Sequence, residues 1–114
     1  MTTDKFRALA LAFPGSAEAP HFDRIAFKVA GKRIFASLHE LLPDRRTLAL
    51  TPAQQVEFCQ MAGGVSPVAN KFGQRGWTTF ALADLPADII RAALEVAYEA
   101  AAAAGPGRGG GERS

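Results

Sequence analysis

Cysteine occurs once, as Cys59, so no disulfide can close within the chain, and its neighbours Val56 and Phe58 mark it as a buried thiol suited to a reducing compartment. Long apolar runs are also missing: nothing approaches the roughly 18 to 20 apolar residues that a membrane-spanning helix needs. Met1 to Phe13 carries Asp4, Lys5 and Arg7 where a secretory signal would need an unbroken apolar stretch. These absences predict a cytoplasmic protein with no membrane partner. Histidine is scarce, and neither His21 nor His39 belongs to a metal-ligand spacing, so no metal or cofactor is expected. Ser16 and Ser37 lack the sharp strand-to-helix turn that exposes a nucleophile. The glycine-rich stretch from Gly63 to Gly76 lacks the Gly-Lys-Ser/Thr ending of a phosphate-binding loop. No catalytic set emerges, and a non-catalytic binding protein is the expectation.

What is present suffices for one core. A chain of 114 residues with 48% hydrophobic content is the size of a single domain, which we assign to residues 1–104. Residues 105–114 hold five glycines, a proline and no apolar side chain, so nothing offsets the entropy of ordering them and a disordered tail is predicted. Phe6, Leu9, Ala10 and Phe13 recur at helical spacing ahead of Pro14-Gly15. A turn-rich linker then leads to Ile25, Phe27 and Val29, which alternate with Ala26 and Lys28. Ala30-Gly31 turns the chain into Ile34, Ala36 and Leu38, giving a β-hairpin. Phe35 falls on its nominally polar face. After a polar connection from Leu41 to Arg46, Thr47 to Leu50 can form a third short strand.

Thr51-Pro52-Ala53-Gln54 spells a capping box with proline at the first helical position, so a second helix begins at Pro52 and closes at Gly63-Gly64. Gly63 to Gly76 reads as a loop and Trp77 to Leu82 as a fourth strand. Ile90, Ala93, Leu94, Ala97, Tyr98 and Ala101 form the buried stripe of the last helix. The order α-β-β-β-α-β-α predicts an α+β fold, a four-stranded antiparallel sheet with helices packed on one face.

Several pieces together resemble the MmcQ/YjbR family: Leu-Ala-Phe-Pro-Gly (11 to 15), Glu18, His21-Phe22, Ala-Phe-Lys-Val-Ala-Gly-Lys (26 to 32), Phe-Ala-Ser-Leu (35 to 38), Asn70-Lys71, Gly-Trp (76 to 77) and the terminal helix near Ala97-Tyr98. The likeness spans about residues 4 to 103. It implies a CyaY-like, frataxin-related fold and a protein often described as DNA-binding. Relatives often carry a histidine before this tryptophan, whereas Gly76 stands here, so no role of that histidine transfers. Frataxins handle iron through acidic residues crowded on the first helix. Here that helix offers Asp4 beside Lys5 and Arg7, so iron delivery is not expected.

The net charge of +2 is unevenly distributed. Residues 24–75 hold Arg24, Lys28, Lys32, Arg33, Arg45, Arg46, Lys71 and Arg75 against Glu40, Asp44 and Glu57, a net +5, while residues 76–104 carry −3. Nucleic acid is therefore the first expected partner, met by Arg24, Lys28, Lys32, Arg33, Lys71 and Arg75 on a basic hairpin and loop. No helix has a basic face for base readout, so contact with phosphates is favoured. The alternative is a protein that binds a small anionic ligand, or an uncharacterised enzyme, with a pocket near Glu18, His21, Asn70, Lys71 and Trp77, where the indole would supply a flat apolar wall. Against it, Glu18 and His21 can simply fix the linker to the first strand, and Trp77 can be a core residue. A monomer is expected.

Overall fold

The computed structural model describes residues 1–21, 24–39 and 42–103; the tail expected at 105–114 lies outside them, as do Phe22, Asp23, Glu40 and Leu41. Thr2 opens helix α1 (Thr3–Ala12) by accepting the Lys5 amide on its hydroxyl. Helix α2 (Pro52–Met61) starts at the predicted capping box, with Thr51 and Gln54 satisfying each other's backbone amides. Helix α4 (Ala87–Ala103) buries Ile90, Ala93, Leu94, Ala97 and Ala101, the stripe read from the sequence. The α+β class and the antiparallel pairing agree with expectation.

The strand count does not. Among the described residues six strands form one sheet: β1 (Ser16–His21), β2 (Arg24–Val29), β3 (Ile34–His39), β4 (Leu42–Ala49), β5 (Val65–Pro67) and β6 (Trp77–Ala81), in the order β1-β2-β3-β4-β6-β5. Both additions lie at edges. The stretch read as a linker pairs with β2 throughout, from Ser16 opposite Val29 to His21 opposite Arg24. Its Ala-Glu-Ala-Pro composition has weak strand propensity, and an edge strand tolerates the proline that a central one would reject. The loop from Gly63 to Gly76 contains the three-residue β5 and a single helical turn, α3 (Lys71–Gln74). The polar connection before Thr47 is also strand, because β4 begins at Leu42.

Register divides the sheet into two faces. Phe27, Ala36, Leu48 and Thr78 stand side by side on one of them, as do Leu38, Arg46, Phe80 and Val65. The helices cover this face: Phe6 of α1 meets Phe27 edge-on at 6.0 Å, and Phe58 of α2 meets Phe80 at the same separation. Phe35 joins them through an irregularity in the β2/β3 ladder, where Phe27 pairs with Ala36 but Lys28 with Ile34. The extra residue turns Phe35 to the covered side, fully buried against Phe13 and against Tyr98 of α4, and puts Ile34, expected beside Ala36 and Leu38, opposite Lys28 on the other face and outside the core. Tyr98 also stacks on Phe13 at 4.4 Å and donates its hydroxyl to the Pro14 carbonyl at 2.6 Å, fastening α4 to the end of α1.

Arg46, expected among the surface cations, is instead fully buried on the covered face. Its guanidinium lies 5.3 Å from the Phe6 ring centre and donates to the Arg45 carbonyl and the Thr3 hydroxyl, so α1 is held over β4 by a polar contact inside the core. At the other end of β4, Gly76 sits at φ +113°, and a Cβ there would come 1.8 Å from the Leu50 carbonyl oxygen.

Two stability outcomes follow. Arg46→Ala should lose about 3 kcal/mol in urea unfolding followed by circular dichroism, since it leaves a cavity and strands the partners of a buried cation. A loss below about 1 kcal/mol would show that Arg46 does not hold α1. Gly76→Ala should cost more than about 2 kcal/mol, combining a disfavoured φ with a backbone clash; wild-type stability there would contradict the close approach of Leu50.

Candidate functional site

Alternation sends the remaining strand residues to the opposite face, which carries no helix among the described residues. One row crosses all six strands: Ala19, Ala26, Ser37, Thr47, Thr79 and Ser66. Every member is small, so this row is a shallow track about 24 Å long, five strand spacings of roughly 4.8 Å. Lys28 of β2 and Trp77 of β6 lie on one side of it, and Arg24 of β2 and Arg45 of β4 on the other. Arg24 reaches across the track, donating from Nη1 to the Ser37 hydroxyl at 3.4 Å. Lys28 and Arg45 are exposed. Among the described residues no carboxylate shares this face, whereas Asp4, Glu57, Asp88, Glu95 and Glu99 are on the helices and exposed or half-exposed. Set against Lys5, Arg7 and Arg91, these five carboxylates leave helices α1, α2 and α4 at net −2, while the sheet face carries three cations.

Trp77 belongs to this face and not to the core. Thr78 and Phe80 are buried under the helices, and the intervening Trp77, Thr79 and Ala81 are half-buried on the other side. The indole is absent from the hydrophobic cluster formed by Phe6, Phe27, Phe35, Phe80 and their neighbours. The sequence contained the signal: once Phe80 and Leu82 are assigned inward, Trp77 must face outward.

The other expected site residues scatter. Lys32, in the β2–β3 turn, donates from Nζ to the Ala102 carbonyl at 2.9 Å, so its charge serves the C-terminal end of α4. Arg33 is exposed beside it. Glu18 of β1 accepts a forked pair from Arg7 of α1, at 2.8 and 2.9 Å from Nη2 and 3.2 Å from Nε, which fixes the edge strand to the first helix. His21 ends β1, at the sheet edge farthest from β5, and four strand spacings, about 19 Å, separate its strand from that of Trp77. The pocket expected from His21, Lys71 and Trp77 together therefore does not form; the sheet order keeps its members apart.

Asn70 and Lys71 do share a hollow. With Gln55, Val68, Gly73 and Gln74 they line an open depression of about 520 Å³ beside β5. Asn70 uses Oδ1 to cap α3 through the Phe72 amide, and the Arg75 guanidinium lies 5.9 Å from the Phe72 ring centre. Gln55 was not anticipated as a site residue. Its Nε2 donates to the Gly73 and Trp77 carbonyls and to the Thr78 hydroxyl at 2.9 to 3.1 Å. Because carbonyls can only accept, the orientation of this amide is settled, and Oε1 is left as an acceptor. Gly73 in turn lets the Val68 backbone pack against α3, for a Cβ there would lie 1.8 Å from the Val68 carbonyl oxygen.

The two serines weighed as nucleophiles take part in structural hydrogen bonds. Ser16 donates its hydroxyl to the Phe13 carbonyl at 2.7 Å, and Ser37 accepts from Arg24. Cys59, expected to be buried, is only half-buried, with Val56 exposed, and this partial burial pushes its thiol pKa up, which keeps it protonated near neutral pH. No group of three His, Cys, Asp or Glu side chains gathers to hold a metal ion among the described residues. No helix among them is long and apolar enough to cross a membrane.

Comparison with known proteins places this architecture. No curated protein matches the sequence. Among solved structures, the crystal structure of Deinococcus radiodurans protein DR2400, with a DUF419 family domain, is similar at a TM-score of 0.69 and 25% identity, covering 84% of this chain and 75% of that one. The YjbR family model matches residues 11–100, from the end of α1 into α4 and across the whole sheet, and the chain therefore belongs to the YjbR family.

Proposed function

We propose that the chain is a nucleic-acid-binding protein that uses the helix-free face of its sheet and performs no catalysis of its own. The observation that carries this is the charge division between the layers: Arg24, Lys28 and Arg45 flank a row of small residues with no carboxylate beside them among the described residues, while acidic side chains outnumber basic ones on helices α1, α2 and α4. Cations held on a flat sheet can neutralise successive phosphates without reading bases. The basic surface thus lies on the sheet, not chiefly on the hairpin tip, where Lys32 is engaged with α4. Lys71 and Arg75 sit toward the far edge, Lys71 lining the depression and Arg75 at the end of α3 beside it.

A second reading rests on that depression. Gln55 Oε1 as acceptor, the Asn70 amide and the Lys71 ammonium would suit a small anion that also carries an N–H donor. Lys71→Gln with Arg75→Gln separates the two readings, because it leaves the sheet face untouched.

Fluorescence-anisotropy titration of labelled DNA over a salt series provides the test. Replacing Arg24, Lys28 and Arg45 together by glutamine should weaken binding more than tenfold at low salt and lower the log–log salt slope by about 2 to 3, close to 0.9 per lost phosphate contact. The Lys71→Gln, Arg75→Gln protein should change less than about threefold under the same conditions. If the triple variant, shown folded by circular dichroism, binds as the wild type does, the sheet face is not the interface.

A further inference from the structure

We infer that the helix-free face takes a single strand of nucleic acid and not a duplex, with one base stacked on Trp77 and the neighbouring bases laid along the row of small side chains. The inference rests on the nucleic-acid reading above and specifies its ligand.

Three observations converge on it. Trp77 is half-buried on this face and takes no part in the hydrophobic core, so its indole is placed at the surface beside the track. Surface indoles bind bases by stacking, and only an unpaired base offers its ring face; in a duplex both faces are taken by neighbours. The track itself is the second. Every residue of the row is small; Ala26 and Ser37 are buried, with Arg24 reaching over to Ser37, so the open part of the row is Thr47, Thr79 and Ser66, where flat bases can approach the sheet and three hydroxyls can bond base edges in either sense. Third, the cations stand on both sides of this row, Lys28 on one and Arg24 and Arg45 on the other, where a backbone following the track passes each in turn. Contact with the bases of a duplex would need an element that enters a groove. No helix projects from this face among the described residues, and a flat sheet meets a cylinder along a narrow line.

The experiment compares a labelled single strand of about 12 nucleotides with its duplex, as DNA and as RNA, by anisotropy and by quenching of Trp77, the only tryptophan. The single strand is expected to bind at least tenfold tighter than the duplex and to quench Trp77 emission. Trp77→Leu should weaken single-strand binding about tenfold, whereas Trp77→Phe, which retains a ring for stacking, should stay within about threefold. Comparing two variants with similar packing demands keeps a loss of folding from passing as a loss of stacking, and the DNA and RNA arms identify which polymer is preferred. Equal or tighter duplex binding, or Trp77→Leu binding as the wild type does, overturns the single-strand inference while leaving phosphate binding by the sheet intact. Absence of binding by either form at low salt overturns both.

Discussion

Burial of one face of a six-stranded sheet is the constraint on which the rest of the molecule depends. Three aromatic contacts fasten the helices to it: Phe6 on Phe27, Phe58 on Phe80, and the Phe13, Phe35 and Tyr98 group. Each joins a helix or its end to a strand, so α1, α2 and α4 are positioned by edge-to-face and stacked rings together with the apolar area those rings remove from water. The fully buried Arg46 belongs to the same layer. Its place between Leu38 and Phe80 brings a cation into contact with Phe6 and Thr3, and α1 can lie over β4 only if that cation is accommodated.

A sheet committed on one side is available on the other. The covered face takes nearly all the bulky apolar side chains of the strands, and the second face is left with alanine, serine, threonine, three cations, Ile34 opposite Lys28 and the indole of Trp77. The same alternation that makes the core therefore makes the candidate interface. Its edges are restrained in different ways. Arg7 grips Glu18 at the β1 edge, while at the other edge Gln55 ties α2 to Gly73, Trp77 and Thr78, which holds β6 and α3 in register. Trp77 is thus fixed through its backbone, and its ring stays at the surface.

Local signals in the sequence were strong where the chemistry is local. The Thr51-Pro52-Gln54 cap, the Ile90 to Ala101 stripe and the alternation of Ile25, Phe27 and Val29 all report structure formed by near neighbours, and all were legible. The edge strands were not, because Ser16–His21 and Val65–Pro67 take their conformation from β2 and β6 and have little strand preference themselves. Phe35 was obscure for a related reason: one irregular pairing opposite Phe27 reverses its side, and only the partner strand reveals it. At the candidate site, the basic character of residues 24 to 75 was evident from composition. Its division was hidden, since nothing local distinguishes Lys28, exposed on the sheet, from Lys32 on the Ala102 carbonyl or from Arg46 in the core.

The most direct measurement is the map of amide and indole chemical-shift changes when isotope-labelled protein is titrated with a short single-stranded oligonucleotide at low salt. Changes are predicted to concentrate on Ala26, Lys28, Ser37, Arg45, Thr47 and Thr79 and on the Trp77 indole N–H, residues distant in sequence that one sheet face brings together. Changes confined to Gln55, Asn70, Lys71 and the helices, with the sheet face silent, would contradict the placement of the interface and move it to the depression beside β5.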